Sequence, residues 1–190
     1  MTALLYIIIV GTGGAVRTIS LYRIPFFGRD IAHPINVGGH GDPNSPTGEI
    51  IENLVFRNID ILEHDEDDVP YQGCMAIDAG DRNRVKNILF EDIRVEHIQE
   101  GQLFHLRVMY NQKYNTGPGR GVRNITFRNI SCTGKYINPS LMEGYDKNRK
   151  VENILFENIM LNGKRIASLE ELNIDKKDFC REDTDKVANK

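Results

Sequence analysis

"VENILFENI", residues 151–159, closes a series of near-copies: "IENLVFRNI" at 51–59, "VKNILFEDI" at 85–93 and "VRNITFRNI" at 122–130, with "VRTISLYRI" at 16–24 as a degraded member. Successive copies start 35, 34, 37 and 29 residues apart, a period that marks stacked repeats and not one set of hairpins. Within each intact copy aliphatic residues hold the first, fourth and ninth places and Phe the sixth, which predicts two short strands meeting at a bend. The bend falls at the eighth place, where Asn58, Asp92, Asn129 and Asn158 align. Short polar side chains tolerate turn conformations, and in register they can build a hydrogen-bonded ladder. Asn53, Asn87, Asn124 and Asn153 form a second column, and Phe56, Phe90, Phe127 and Phe156 are expected to stack inside.

A third strand is expected between copies: "HPINVGG" (33–39), "CMAIDAG" (74–80), "LFHLRVMY" (103–110) and "PSLMEGY" (139–145). Three strands per turn make an all-β solenoid, a parallel β-helix of about five coils over residues 1–170, followed by a charged cap and tail at 171–190. Helical repeats fit poorly, because the phrase is short and rich in β-branched residues and Asn. Leucine-rich repeats lack its Phe and Asn spacing. The loops "GHGDPNSPTGE" (39–49), "EHDEDDVPYQG" (63–73), "NQKYNTGPGRG" (111–121) and "KYINPSLMEGYDKNRK" (135–150) vary between copies, as loops on a binding face do.

The chain has 190 residues, 40% of them hydrophobic, enough for one continuous core. A net charge of −3 provides no basic field for nucleic acid or an anionic membrane, so neither is expected as a partner. Cys74, Cys132 and Cys180 share no metal-ligand spacing and read as free thiols. The acidic run 63–68 lacks a calcium-loop frame, and neither a metal nor a cofactor is assigned. The opening "MTALLYIIIV" is too short to span a membrane and lacks the basic start of a signal peptide, so residues 4–10 are expected to be a strand. That strand would lie at an open end of the stack, where an unpaired edge favours self-association. The chain begins inside what reads as a coil, as an N-terminally incomplete member of a longer architecture would.

The repeat and its third strands, clearest in "GCMAIDAGDRNRVKNILFEDIRVE" (73–96) and "VENILFENIMLNGKRIASLEEL" (151–172), resemble the polygalacturonase-like proteins of glycoside hydrolase family 28. The resemblance covers most of residues 10–170 and implies a right-handed β-helix of the pectin-lyase-like kind. It also implies inverting hydrolysis of a pectin-like uronate polysaccharide without a cofactor, and an extracellular or periplasmic setting. Members carry Asn-Thr-Asp, then Asp-Asp, then Gly-His-Gly, then Arg-Ile-Lys on successive coils. Here His33, opening "HPINVGG", stands where that histidine would, while the literal Gly39-His40-Gly41 precedes a Pro-rich loop. No Asp or Glu precedes Asp30, so the upstream acids have no counterpart, and the Arg-Ile-Lys strand is replaced by "CMAIDAGDR".

The candidate catalytic residues are therefore His33, Asp78 and Asp81, with Asp42 as a possible second acid. Candidate sugar contacts are His40, Asp42, Arg82, His105, Arg107 and Tyr110. Three readings stay open: a hydrolase with relocated acids, a non-catalytic carbohydrate-binding β-helix, and an inactive fragment.

Overall fold

The computed structural model describes residues 33–134, 137–181 and 185–189, together with the backbone of four short strands nearer the N-terminus. The chain is all-β and its strands pair almost entirely in parallel; among the described residues the single helical piece is a 3₁₀ turn at Val69–Tyr71. No helix among these residues is long and apolar enough to cross a membrane.

Four strands carry the intact copies, the last only to its seventh place: β6 (Ile50–Asp65), β8 (Arg84–Val108), β9 (Gly121–Gly134) and β12 (Val151–Glu157). They lie side by side with like positions opposed, so that Phe56 pairs with Phe90, Phe90 with Phe127 and Phe127 with Phe156. The degraded copy keeps this register: β2 (Val16–Arg17) sets Val16 on Ile51, and β3 (Ser20–Tyr22) sets Leu21 on Phe56. β4 (Pro25–Arg29) continues along β6.

A second parallel ladder holds the segments read as third strands. It runs from β1 (Ile7–Ile9) through β5 (Ile35–Val37), β7 (Gly73–Ala79) and the end of β8 to β11 (Ser140–Glu143) and β15 (Ile174–Lys176). β8 serves both ladders and passes Gly101 between them, at φ 154°. A Cβ there would stand 2.4 Å from Cδ2 of His64, so the passage excludes any larger residue. Of the strand expected at 4–10, residues 7–9 pair with β5, and the rest lies outside the described residues. The charged C-terminal segment adds further strands, β16 (Cys180–Arg181) and β17 (Lys186–Ala188), parallel to β12.

The first, fourth, sixth and ninth places of every intact copy are buried. Plain alternation would give inward steps of two residues, yet two of these steps are three residues long. Each long step contains an Asn or Asp in the left-handed region: Asn53, Asn87, Asn124 and Asn153 at φ 56–60°, and Asn58, Asp92, Asn129 and Asn158 at φ 54–57°. The phrase thus bends twice, at its third place as well as its eighth, because Asn and Asp reach this conformation at little cost.

The bent side chains bond along the stack. Nδ2 of Asn87, Asn124 and Asn153 donates to Oδ1 of the preceding copy's Asn at 3.2, 2.9 and 2.6 Å. In the other column Asn129 donates to Asp92 at 2.9 Å and Asn158 to Asn129 at 3.1 Å. Asp92 has no N–H to pass on, and Arg94 Nη2 instead donates to Asn58 Oδ1 at 3.0 Å. Inside, the four rings stack nearly parallel, with centroids 4.8, 4.9 and 5.3 Å apart. Phe104 from the second ladder leans on Phe127 and Phe156.

The outward seventh place alternates in charge. Glu91 accepts from Arg57 at 2.5 Å and from Arg128 at 3.1 Å, and Arg128 reaches Glu157 at 2.7 Å. Burial raises the Glu91 pKa, but the two arginines outweigh it and hold the carboxyl below its ordinary value. Cys74 and Cys132 are buried free thiols, and burial pushes the Cys132 thiol up to about 12.

Phe127 is fully buried between two stacked rings and a tilted one. Phe127→Ala is expected to cost about 3–5 kcal/mol in urea unfolding, because it leaves a ring-sized cavity mid-stack. A loss under about 1 kcal/mol would contradict this packing.

Candidate functional site

The second ladder aligns outward positions of adjacent strands. β7 and β8 pair Ala76 with His105 and Asp78 with Arg107; β8 and β11 pair Arg107 with Glu143. β5 brings Asn36 against Ala76, and His33 enters just before β5, ahead of Pro34. Ala76 is the small member of its row, which leaves room for larger neighbours to converge above it.

They converge on Asp78, which is 3% exposed. His33 Nε2 lies 3.0 Å from Oδ2, and His105 Nε2 lies 3.4 Å from Oδ1. Arg107 Nε donates to Oδ1 at 2.9 Å, and Asn36 Nδ2 to Oδ2 at 3.4 Å. Behind the imidazoles, Nδ1 of His33 meets the Gly73 carbonyl and Nδ1 of His105 meets Gln102 Oε1, each at 2.9 Å. Gly73 is required here, since a Cβ on it would stand 2.3 Å from Cβ of His105.

Burial opposes ionisation of Asp78, but the electrostatic influence of His105 and then His33 outweighs it, so the carboxyl sits well below its ordinary range. Burial dominates at His105 and lowers its pKa despite the carboxylate beside it. The same holds for His64, whose Nε2 donates to the Gln72 carbonyl at 2.6 Å, next to Gly73, while its Nδ1 is buried without a partner.

Above this cluster opens a groove of about 650 Å³. Asp78, Arg107 and His40 form part of its lining, and Glu143 and Asp178 add two carboxylates. Its walls carry Tyr71, Tyr110, Tyr114, Tyr145 and Phe179. These five rings are every aromatic among the exposed large hydrophobic residues of the described chain.

The candidate residues divide into two groups. His33, Asp78, His105 and Arg107 come together, and His40 and Tyr110 line the groove above them. Asp81, Arg82 and Asp42 serve the loops and do not line the groove, although Asp81 Oδ2 lies 3.8 Å from Nδ1 of the lining His40. Asp81 accepts from the amides of Gly41 at 3.1 Å and Thr116 at 2.7 Å, and Arg82 holds Thr116 Oγ1 and O, both at 2.8 Å. Asp42 caps its own turn by accepting from Asn44 N at 2.9 Å. Asn83 and Asn115 complete the tie, donating to the carbonyls of Gly38, His40 and Gly39. The Gly-His-Gly triplet is thus the anchored rim of the groove.

Sequence reasoning passed over Asn36, Gln102, Gly73 and four of the five rings. Asn36 had a signal, as the polar member of the alternating "HPINV"; the rings sit on loops whose convergence only the fold defines. No protein-family model, curated protein or solved structure matches this chain.

His64 gives the site a pH signature. A folded-state pKa below the ordinary 6.5 means that its contribution to stability is complete above about pH 6.5 and is lost as pH falls through the folded value. Urea midpoints are therefore expected to fall between pH 7.5 and 5, and to fall less steeply in His64→Gln.

Proposed function

We propose that the chain is a right-handed parallel β-helix of the polygalacturonase-like type and that its groove binds a pectin-like acidic polysaccharide. The repeat period, the like-on-like register and the Asn and Phe columns support the solenoid. Parallel strands joined by crossovers are right-handed in about 98% of cases, which supports the hand.

The observation that carries the functional reading is the gathering of five exposed rings in one groove beside Arg107. Sugars present flat C–H faces that rest on aromatic rings, and a contiguous exposed aromatic surface marks a binding site more often than chance. Arg107 spends Nε on Asp78 and touches Met109 Sδ through Nη2, while Nη1 shows no hydrogen bond among the described residues and is suited to a uronate carboxylate.

Cleavage draws less support. Inversion needs one carboxyl protonated and another carboxylate roughly 6.5–9.5 Å away to activate water. Asp78 is held well below the ordinary carboxyl range and accepts from Arg107, which disfavours it as the acid. Asp81 is spent on loop amides. Glu143 and Asp178 line the groove as well and favour a second ligand class, neutral saccharides, since their charge opposes a uronate.

Calorimetric titration with oligogalacturonate and with a neutral oligosaccharide of equal length tests both. Tighter binding of the uronate is expected, with Tyr110→Ala weakening both ligands about 10-fold, or about 1.4 kcal/mol. Arg107→Ala is expected to abolish the uronate preference. Binding of neither ligand would end the saccharide reading. Release of reducing ends that disappears in Glu143→Gln or Asp178→Asn would make the chain a hydrolase.

A further inference from the structure

The two imidazoles beneath the groove are held in one tautomer. A carbonyl oxygen only accepts, so Nδ1 of His33, at 2.9 Å from the Gly73 carbonyl, carries the proton; Nδ1 of His105 donates likewise to Gln102 Oε1. In the neutral rings both Nε2 atoms are then bare lone pairs, and both are buried without a hydrogen-bond partner. They face the carboxylate of Asp78 at 3.0 and 3.4 Å. Lone pairs turned on an anion repel unless something positive lies among them.

We propose that His33, His105 and Asp78 bind a divalent transition-metal cation of the zinc class. Their ligand atoms all lie within 4.8 Å of one another. Two ligands of a tetrahedral centre at ~2.0–2.1 Å stand about 3.3 Å apart, close to the 3.0 Å between His33 Nε2 and Asp78 Oδ2. Two imidazoles and one carboxylate suit zinc and its neighbours, whereas calcium and magnesium seek oxygen. The outer contacts are those of a metal site: each histidine donates its far N–H to an oxygen, and Arg107 and Asn36 orient the carboxylate. Arg107 is the opposing term, because its fixed charge disfavours a second cation nearby. It lies on the Oδ1 side, which leaves Oδ2, next to His33, as the oxygen for the metal.

The rival occupant is a proton on His33 Nε2, forming an imidazolium paired with Asp78. Cobalt titration of the chelator-treated full chain separates them, with no saccharide present, so its outcome leaves the saccharide reading untouched. One equivalent of Co²⁺ is expected to bind with the visible absorption of tetrahedral coordination and to be displaced by Zn²⁺. Binding should vanish in His33→Ala and in His105→Ala, and persist in His97→Ala, which removes an exposed histidine. Gln102→Leu keeps all three ligands and is expected to weaken binding about 10–100-fold. If the histidine variants fail to fold, ¹⁵N spectra of the wild-type chain decide: Zn²⁺ should shift Nε2 of His33 and His105 together. Absence of binding with His33 doubly protonated at pH 7.5 would overturn the site, as would binding that survives both histidine variants.

Discussion

Everything in this molecule depends on register, the placing of each residue over its own counterpart one repeat away. Parallel strands spaced about 4.8 Å apart bring identical side chains to nearly the distance at which two rings stack and an amide reaches the next amide. The phenylalanine centroids, 4.8 to 5.3 Å apart, follow that spacing. A slip of one residue would turn every ring outward and break both amide columns at once. The alternating Arg57, Glu91, Arg128 and Glu157 add a separate penalty, because a slip by one whole repeat would set like charges face to face.

Much of the fold was legible because the repeat states the same local solution four times. The interior places, the ring stack and the third strands all follow from periodicity. One element was read incompletely: Asn53, Asn87, Asn124 and Asn153 appeared as a secondary column, whereas they bend the chain as fully as the eighth place does. The three-residue step from the first to the fourth place contained that information, since an extended strand cannot keep both residues on one face.

The site was less legible for a topological reason. His33 comes from the lead into β5, Asp78 from β7 and His105 from β8, three successive members of the second ladder, where no repeat phrase aligns them for the eye. His33 and Asp78 were grouped as candidate catalytic residues, but His105 was placed apart among the sugar contacts. Their meeting depends on Ala76 being small, on Gly73 lacking a Cβ and on the passage of β8 through Gly101. Asp81 and Arg82 looked equally chemical in "IDAGDR", yet a residue with left-handed backbone at a strand exit spends its side chain on the loops around it. Type and proximity in sequence do not distinguish a residue that faces a ligand from one that holds the wall.

The amide columns have a direction. Asn87, Asn124 and Asn153 in one column, and Asn129 and Asn158 in the other, each donate an amide hydrogen to the copy before, so each column runs head to tail with a donor end and an acceptor end. A link without hydrogens, such as Asp92, is tolerated only because Arg94 supplies the missing donor. Growth or loss of the architecture by whole repeats therefore conserves the bonding of both columns, since each added unit brings one donor and one acceptor and leaves the termini as they were. Partial repeats lack this property, which makes the complete phrase, and not the residue, the natural unit in which such a chain can change its length.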